Sequence, residues 1–193
     1  TNLYKCFLPQ AWMIGNKNCI SGFLHPEGIY DDPNGGPFRK SIYPRLRSHF
    51  QFHNELKLFP EVDHHTKFSI NIYCNIQIEP DFLHIANLYA PKTVYACFDH
   101  NGQGPVPGIK DDDNHWNVNG HYSRIINVKN DTLALFAKLY DEEGTSPVHA
   151  RLPALQAKEL INVLEKFANQ PIRLKQLKEG FYSTQHWNET GGQ

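Results

Sequence analysis

The stretch ELKLFPEVDHHTKFSINIY, residues 55–73, contains the side chains whose types and spacing most clearly suggest chemistry. Asp63, His64 and His65 are consecutive, and carboxylate and imidazole groups are common ligands of transition metals. Phe59 lies in a loop-like segment before a proline, where an aromatic ring can stack on a planar ligand. The stretch therefore allows three interpretations: a metal-dependent hydrolase site, a solvated turn between strands, or the rim of a site for a planar ligand.

The metal interpretation needs three or four converging ligands. The nearest other histidines, His49 and His53, lie on a predicted strand, where four residues span about 13 Å. On a helix the same pair would be about 6 Å apart. We therefore expect no metal site, favour a solvated turn at His64 and His65, and keep a metal-dependent hydrolase as a less favoured possibility.

No other segment has the spacing of a known catalytic or ion-binding motif. The aspartates at 111–113 lack the alternation of a calcium loop, and Trp116 stands where that loop needs glycine. The glycines at 35–36 and 102–108 lack the strand-to-helix context and the lysine of a phosphate-binding loop. We interpret all of these residues as parts of turns.

Composition limits the class of protein. The 193 residues are 40% hydrophobic and 20% charged with a formal net charge of -1, which suits one domain or slightly more. A near-neutral chain does not have the uniformly basic surface of a general nucleic-acid binder. The four cysteines are widely scattered among apolar neighbours and lack CxxC spacing, so we expect reduced core thiols and a cytoplasmic protein.

Hydrophobic periodicity predicts an α/β arrangement in the first 80 residues. Residues 3–14 read as a helix with Leu3, Phe7, Ala11 and Ile14 on one face. The continuous apolar run at 19–24 is typical of a strand buried on both faces in a parallel sheet. A second helix is predicted at 37–47, where Pro44 is a disturbance.

Two alternating strands surround the loop that carries Phe59. In HFQFHNEL, Phe50 and Phe52 alternate with polar residues. From Phe68 to Ile78 every second residue is apolar. This alternation predicts one long strand, or two in succession, with one covered apolar face.

The character of the chain changes after Pro80. We divide it into an α/β unit at 1–80 and a loop-rich, mainly helical connector at 81–193. The connector contains a long polar loop at 99–121, a helix near 132–141, and a second amphipathic helix that begins at Ser146-Pro147, with Pro153 as a candidate break.

Three segments in the first half carry a family resemblance: NLYKCFLPQAW at 2–12, ISGFLHPEGIYDD at 20–32 and LFPEVDHHTKFSINIY at 58–73. Their order and spacing over about 75 residues resemble the second half of a class I N6-adenine DNA methyltransferase. GPVPGIKDDDNHWNVNGH and ARLPALQAKELINVLEKFA are similar to methylase chains of the type IIG restriction–modification and phage-defence kind. HWNET at 186–190 resembles the entry to their target-recognition region.

The resemblance implies a fold and roles for particular residues. The fold is a partial Rossmann-like methyltransferase sheet, mixed, with an antiparallel strand pair, followed by a mainly helical extension. Phe59 would stack on the target adenine after it is flipped out of double-stranded DNA. Phe7 would lie against the adenine ring of S-adenosylmethionine, although a place in the helix core suits it equally well. His25 and Pro26 would form part of the site wall at the ligand-bearing edge of the sheet.

The resemblance also implies that this chain is a fragment. The family needs a glycine-rich cofactor turn and an Asn/Asp-Pro-Pro-aromatic motif, and neither occurs here; Asp32-Pro33-Asn34 lacks the second proline and the aromatic residue. We expect the fragment to be inactive alone, with no catalytic residues of its own. The strand at 19–24 would need covering by the missing N-terminal half or another chain. The alternative is a non-catalytic interaction or nucleic-acid-binding module on a methylase-like scaffold.

Overall fold

The computed structural model describes residues 2–172, which form one five-stranded mixed sheet with helices around it. The strands are β1 Ser21–Pro26, β2 Leu46–His53, β3 Lys67–Tyr73, β4 Asp81–Leu88 and β5 Ile126–Lys129. The α-helices are α1 Tyr4–Ile14, α2 Gly28–Asp31, α3 Gly36–Ile42, α4 Lys92–Asp99, α5 Asn130–Tyr140 and α6 Glu159–Ala168. Short 3-10 turns cover Pro33–Gly35, Asn54–Leu56, Tyr122–Arg124 and Pro147–His149.

The strand order is β1-β3-β2-β4-β5. β3 runs antiparallel between β1 and β2, β4 is parallel to β2, and β5 is antiparallel to β4. This arrangement confirms the expected mixed α/β class with an antiparallel pair. β1, β2 and β4 therefore point the same way, and we name the end of the sheet at Pro26, His53 and Leu88 the carboxyl edge.

β1 differs from the strand predicted at 19–24. It begins two residues later, pairs only with β3, and lies at the edge of the sheet among the described residues. Its residues alternate between exposed and covered, and Leu24 is largely exposed. The prediction of a strand buried on both faces in a parallel sheet was wrong, because a short apolar run does not reveal which neighbours the strand has.

The two faces of the sheet are both covered, contrary to the prediction of a single covered apolar face. The apolar face contains Phe52, Phe68 and Ile85, which pack with Cys97 of α4. The polar residues of opposite parity are at least as deeply buried: Ser69, Asn71 and Tyr73 of β3 are almost inaccessible to solvent. The first helices of the chain lie over this polar face, as the contacts of Tyr4 and Trp12 show. β3 ends at Tyr73, so the predicted continuation to Ile78 is absent.

α1 has the predicted length but packs through a different face. Leu8 is buried, and Tyr4 and Trp12 pack beside it against the core. These positions are four residues apart and form one stripe on the helix. The predicted face is turned outward, with Leu3, Phe7 and Ile14 all exposed. The tyrosine and tryptophan make the true contact because their rings reach the aromatic core beneath β1 and β3.

The remaining predicted helices are confirmed in part. α3 ends at Ile42 rather than 47, and Pro44 lies in the turn that leads into β2. α5 matches its prediction, with Leu133 and Phe136 buried. Ser146-Pro147 begins only a 3-10 turn, and the amphipathic helix starts later, at Glu159.

The sheet continues beyond residue 80 through β4 and β5. The prediction of a loop-rich, mainly helical connector from residue 81 did not include these two strands. The connector is tied to the first half by Arg39, whose buried guanidinium donates hydrogen bonds to the carbonyls of Ile29 and His149 at 2.9 Å. Tyr43 adds a 2.6 Å bond to the carbonyl of Ala150.

The loop at 99–121 is fixed by close packing. Its Gly120 lies so near α4 that an added Cβ would stand 2.3 Å from the backbone of Ala96. Trp116 stacks on Tyr89 with ring centroids 4.6 Å apart. The loop therefore packs over Tyr89, the residue that follows β4, close to the carboxyl edge.

Other predictions concern the cysteines and the chain end. All four cysteines are free thiols, as predicted, but only Cys97 is buried. The expectation that all four lie in the core was therefore wrong for Cys6, Cys19 and Cys74. HWNET lies outside the described residues. Within residues 2–172, none of the helices has the length and apolar character needed to cross a bilayer.

Candidate functional site

Phe59 lies at the carboxyl edge, in the loop between β2 and β3. Its ring contacts Phe68 edge to face, with centroids 5.1 Å apart, and Phe68 in turn stacks on Phe52. Phe68 is paired with Pro26 across the sheet, so Phe59 and Pro26 lie near the same residue. Phe59 keeps 39% of its surface exposed. It is therefore a supported ring with a free face, and it is not a core residue.

Asn54 fixes the backbone of Phe59. The side-chain oxygen of this fully buried asparagine accepts from the Phe59 amide at 2.9 Å, and its nitrogen donates to the Phe59 carbonyl at 2.9 Å. The same nitrogen also donates to the carbonyl of Val62. One side chain thus holds both ends of a tight turn, and the phenylalanine is positioned before any ligand arrives.

His25, the other predicted wall residue of β1, does not reach the surface. It is 3% exposed, stacks on Tyr4, and bonds to the Tyr73 hydroxyl at 3.2 Å. Burial lowers the pKa of His25, so its ring is neutral near pH 7. The wall role of His25 remains a prediction, and its burial allows only an indirect contribution; the neighbouring Pro26 is exposed.

The His25 ring belongs to a hydrogen-bonded network that crosses the polar face of the sheet from β1 to β4, which we name the buried polar network. Its members, in order, are His25, Tyr73, Tyr30, Asn71, Ser69, Glu27, His49 and His84. Each is at least nine-tenths covered. The network is a continuous path of donors and acceptors under the helices.

A buried charge lies at its centre. Glu27 accepts from His49 Nε2 and from Gln51 Nε2, each at 3.0 Å. Burial alone would raise the pKa of Glu27, but the charge and hydrogen bond of His49, with bonds from Ser69 and Gln51, lower it to about 2. Glu27 is therefore ionised at neutral pH.

His84 completes the network on β4. Its Nδ1 lies 2.8 Å from His49 Nδ1, so the two rings share one proton between these atoms. Burial, and then the neighbouring His49, lower the pKa of His84 to about 3. One of the two Nδ1 atoms donates this proton and the other accepts it, and the tautomers of the rings set the direction. Because the network is closed to solvent, its chemistry is that of a stabilising core and not that of an exposed catalytic site.

Phe7 is 55% exposed on the outer face of α1, so the helix-core interpretation of this residue is wrong. It lies one turn after Tyr4, and Tyr4 stacks on His25 near the end of β1. This places Phe7 on the part of α1 nearest the carboxyl edge. An exposed ring there can serve as one wall of a cofactor site, but the described residues do not provide the rest of one.

The candidate turns contain local capping contacts. Asp32 accepts from the Asn34 amide at 2.9 Å and pairs with Lys5 at 3.5 Å. Asp111 accepts from the His115 amide at 2.8 Å in the same way. Both contacts agree with the interpretation of these aspartates as turn residues.

Glu55 joins the two histidines of the opening motif. Oxygen and nitrogen atoms of Glu55, His64 and His65 all lie within 4.8 Å of one another. This glutamate was missed because the sequence search for a third ligand considered only histidines. It follows β2 directly, and a ligand search that included carboxylates would have found it.

The buried polar network was also missed by sequence reasoning. Its signal is the placement of His49 and Gln51 on β2 and of Ser69 and Asn71 on β3, each pair alternating with apolar residues. We interpreted that parity as facing solvent, which is the usual arrangement.

Comparisons with known proteins give one distant similarity. No family model matches the sequence, and no curated protein matches it. A chain from a structural study of the complex assembly and conformational transition of the type I restriction–modification system matches with a TM-score of 0.44 and 12% identity. The match covers 85% of this chain and 36% of that chain, so this chain spans about a third of its length.

Proposed function

We propose that this chain is part of a site-specific DNA adenine N6-methyltransferase of a restriction–modification or phage-defence system, with Phe59 stacking on the flipped adenine. The order of three sequence segments supports this proposal at the family level. The observation that carries it in the structure is Phe59: a half-exposed ring at the carboxyl edge, with both backbone polar groups fixed by buried Asn54.

The physical role follows from the cost of base flipping. Removing a base from the stack costs a few kcal/mol. Stacking on an aromatic side chain returns about 1–3 kcal/mol per base. A ring that is already positioned loses little conformational freedom on binding, so most of that stacking energy offsets the extrusion.

S-adenosylmethionine would supply the methyl group to the intact protein. In this chain the exposed ring of Phe7 would contact the adenine of the cofactor, and no other described residue is assigned to the cofactor. The glycine-rich turn and the Asn/Asp-Pro-Pro-aromatic motif would come from the remainder of the protein. The chain alone is therefore expected to leave DNA unmethylated.

A substitution series at Phe59 in the intact protein tests the proposal. Phe59→Ala should lower kcat/KM for adenine methylation by about 5- to 150-fold, because it removes about 1–3 kcal/mol of stacking. Phe59→Trp should retain most of the activity. Fluorescence of a duplex with 2-aminopurine at the target position reports the flipped base directly, and Phe59→Ala should reduce its signal.

Phe167→Ala is a matched control, since this phenylalanine is also exposed but lies on α6. It should leave both measurements unchanged. Equal methylation rates and equal 2-aminopurine signals for Phe59→Ala and the unsubstituted protein would contradict the stacking role.

A second candidate function is a non-catalytic interaction module. It is favoured by exposed apolar side chains on α1 and β1 and on the residues directly before them, namely Leu3, Phe7, Ile14, Ile20 and Leu24. Such a surface, beside a strand edge that no described residue pairs with, is suited to another protein segment. The coding sequence upstream distinguishes the two: without a cofactor turn and an Asn/Asp-Pro-Pro-aromatic motif in frame, the interaction module becomes the better account.

A further inference from the structure

The loop between β2 and β3 brings three metal-ligand side chains together on its outer surface. Glu55 lies in the 3-10 turn after β2, while His64 and His65 precede β3. Their ligand atoms all lie within 4.8 Å of one another. Among residues 2–172, no other set of three His, Cys, Asp or Glu side chains meets this criterion.

The separations suit one small cation. Glu55 Oε1 and His65 Nδ1 are 3.4 Å apart. Two ligands of a tetrahedral zinc ion, at bond lengths of 2.0–2.1 Å, lie about 3.3 Å apart. The rings of His64 and His65 have centroids 3.8 Å apart, so both imidazoles reach the same region.

The backbone that carries these side chains is held independently of them. Asn54 precedes Glu55 and bonds to the carbonyls of Phe59 and Val62. Asp63 accepts from the His65 amide at 2.8 Å, which fixes the turn where the histidines begin. Two strands of the sheet anchor the ends of the loop. The ligands are therefore arranged without a metal, which lowers the ordering cost of binding one.

The burial of the ligands also fits a metal site at the surface. The Glu55 side chain is 14% exposed, whereas that of His65 is 73% exposed. A carboxylate at the base and two accessible imidazoles above it leave the outer side open to solvent. Two imidazoles and one carboxylate form a ligand set that binds divalent transition metals and leaves coordination positions for water.

We propose that Glu55, His64 and His65 bind one divalent transition-metal ion, with Zn²⁺ as the best match to the donor set. The ion links the turn after β2 to the segment before β3 and closes the loop around Phe59. The ion has no role in the proposed methyl transfer, and the metal site can be tested independently of that function.

Titration of the purified 193-residue chain with Zn²⁺ by isothermal calorimetry tests the site. We expect one saturable site per chain and a rise in Tm on binding. His64→Ala, His65→Ala and Glu55→Gln should each weaken binding at least tenfold. All three side chains are on the loop surface or near it, and circular dichroism checks that each variant is folded.

His115→Ala is the matched control. His115 is exposed and lies 3.7 Å from an Asp111 oxygen, which reproduces an acid–histidine pair that has no third ligand within residues 2–172. This variant should bind Zn²⁺ as the unsubstituted chain does. Co²⁺ spectra give a second control, because ligation by free cysteines produces a thiolate charge-transfer band and a His/Glu site does not.

Several outcomes would overturn the proposal. They are no saturable binding, unchanged affinity in the Glu55 and histidine variants, and a thiolate band that accompanies the bound Co²⁺. Loss of affinity in one histidine variant alone, with Glu55→Gln unaffected, would also overturn the three-ligand site, because it indicates a single surface imidazole.

Discussion

At the scale of single residues, Asn54 explains more of the candidate site than any side chain chosen for its chemistry. It is fully buried and satisfies the amide and carbonyl of Phe59 together with the carbonyl of Val62. An asparagine at the end of a strand usually predicts only a turn. The sequence therefore identified Phe59, through a family resemblance, but it could not identify the residue that positions Phe59.

Asn54→Ala should destabilise the chain by about 2 kcal/mol, since it removes the hydrogen bonds that this buried side chain makes to the Phe59 amide and to the Phe59 and Val62 carbonyls. The measurement is the free energy of unfolding in urea. Asn18→Ala, at an exposed position, is the control and should change it by less than about 0.5 kcal/mol. A similarly small change for Asn54→Ala would show that the loop is held by other contacts.

At the scale of secondary-structure elements, the sheet is the part that sequence patterns describe least well. Period two located the central residues of β2 and β3, since alternation follows from the pleat of any strand. It did not locate their ends: β2 begins at Leu46, inside the helix predicted at 37–47, and β3 ends at Tyr73. The alternation of apolar and polar residues does not reveal that helices cover the polar face of the sheet. The pattern reports only a difference between faces, and the burial of His49, Asn71 and His84 depends on contacts from distant segments.

The buried polar network makes the fold sensitive to acid. The pKa of His84 is lowered to about 3 from 6.5, so below pH 6.5 the unfolded chain binds a proton that the folded chain does not. Stability therefore falls as pH drops from about 6.5. The pKa of Glu27 is lowered to about 2 from 4.5, so its contribution is present above pH 4.5 and is lost below it. Urea unfolding between pH 7.5 and 4 should show a continuous decrease in stability.

His84→Gln should reduce the slope of that decrease by up to one proton, which is about 1.4 kcal/mol per pH unit. His115→Gln removes an exposed histidine and should leave the slope unchanged. A flat stability profile from pH 7.5 to 5 in the unsubstituted chain would contradict the burial of a neutral His84.

At the scale of the whole molecule, the α/β class and the mixed sheet were predictable, whereas its extent was not. β4 contains His84 and Asn87 among apolar residues, and β5 has only four residues, so neither has a clear strand pattern. Both join the sheet through pairing with residues far away in the sequence. Such pairing is set by topology, which local periodicity does not encode.

The arrangement as a whole brings the proposed site to one edge. β1 and β2 run parallel on either side of β3, so Pro26 and the loop with Phe59 both lie at the carboxyl edge, where open α/β sheets bind ligands. On the other side of β1, the described residues leave an unpaired strand edge. Both features suit a chain that works together with further protein.

The most direct test of the proposed function is the N6-methyladenine content of DNA from cells that express the full reading frame containing this chain. We expect methylated adenine at one defined sequence motif, and a lower content with Phe59→Ala, because the loss of about 1–3 kcal/mol of stacking slows methylation by about 5- to 150-fold. Cells that express only the 193 residues should show no methylation. Absence of N6-methyladenine with the full, folded protein, or methylation that is independent of Phe59, would contradict the account.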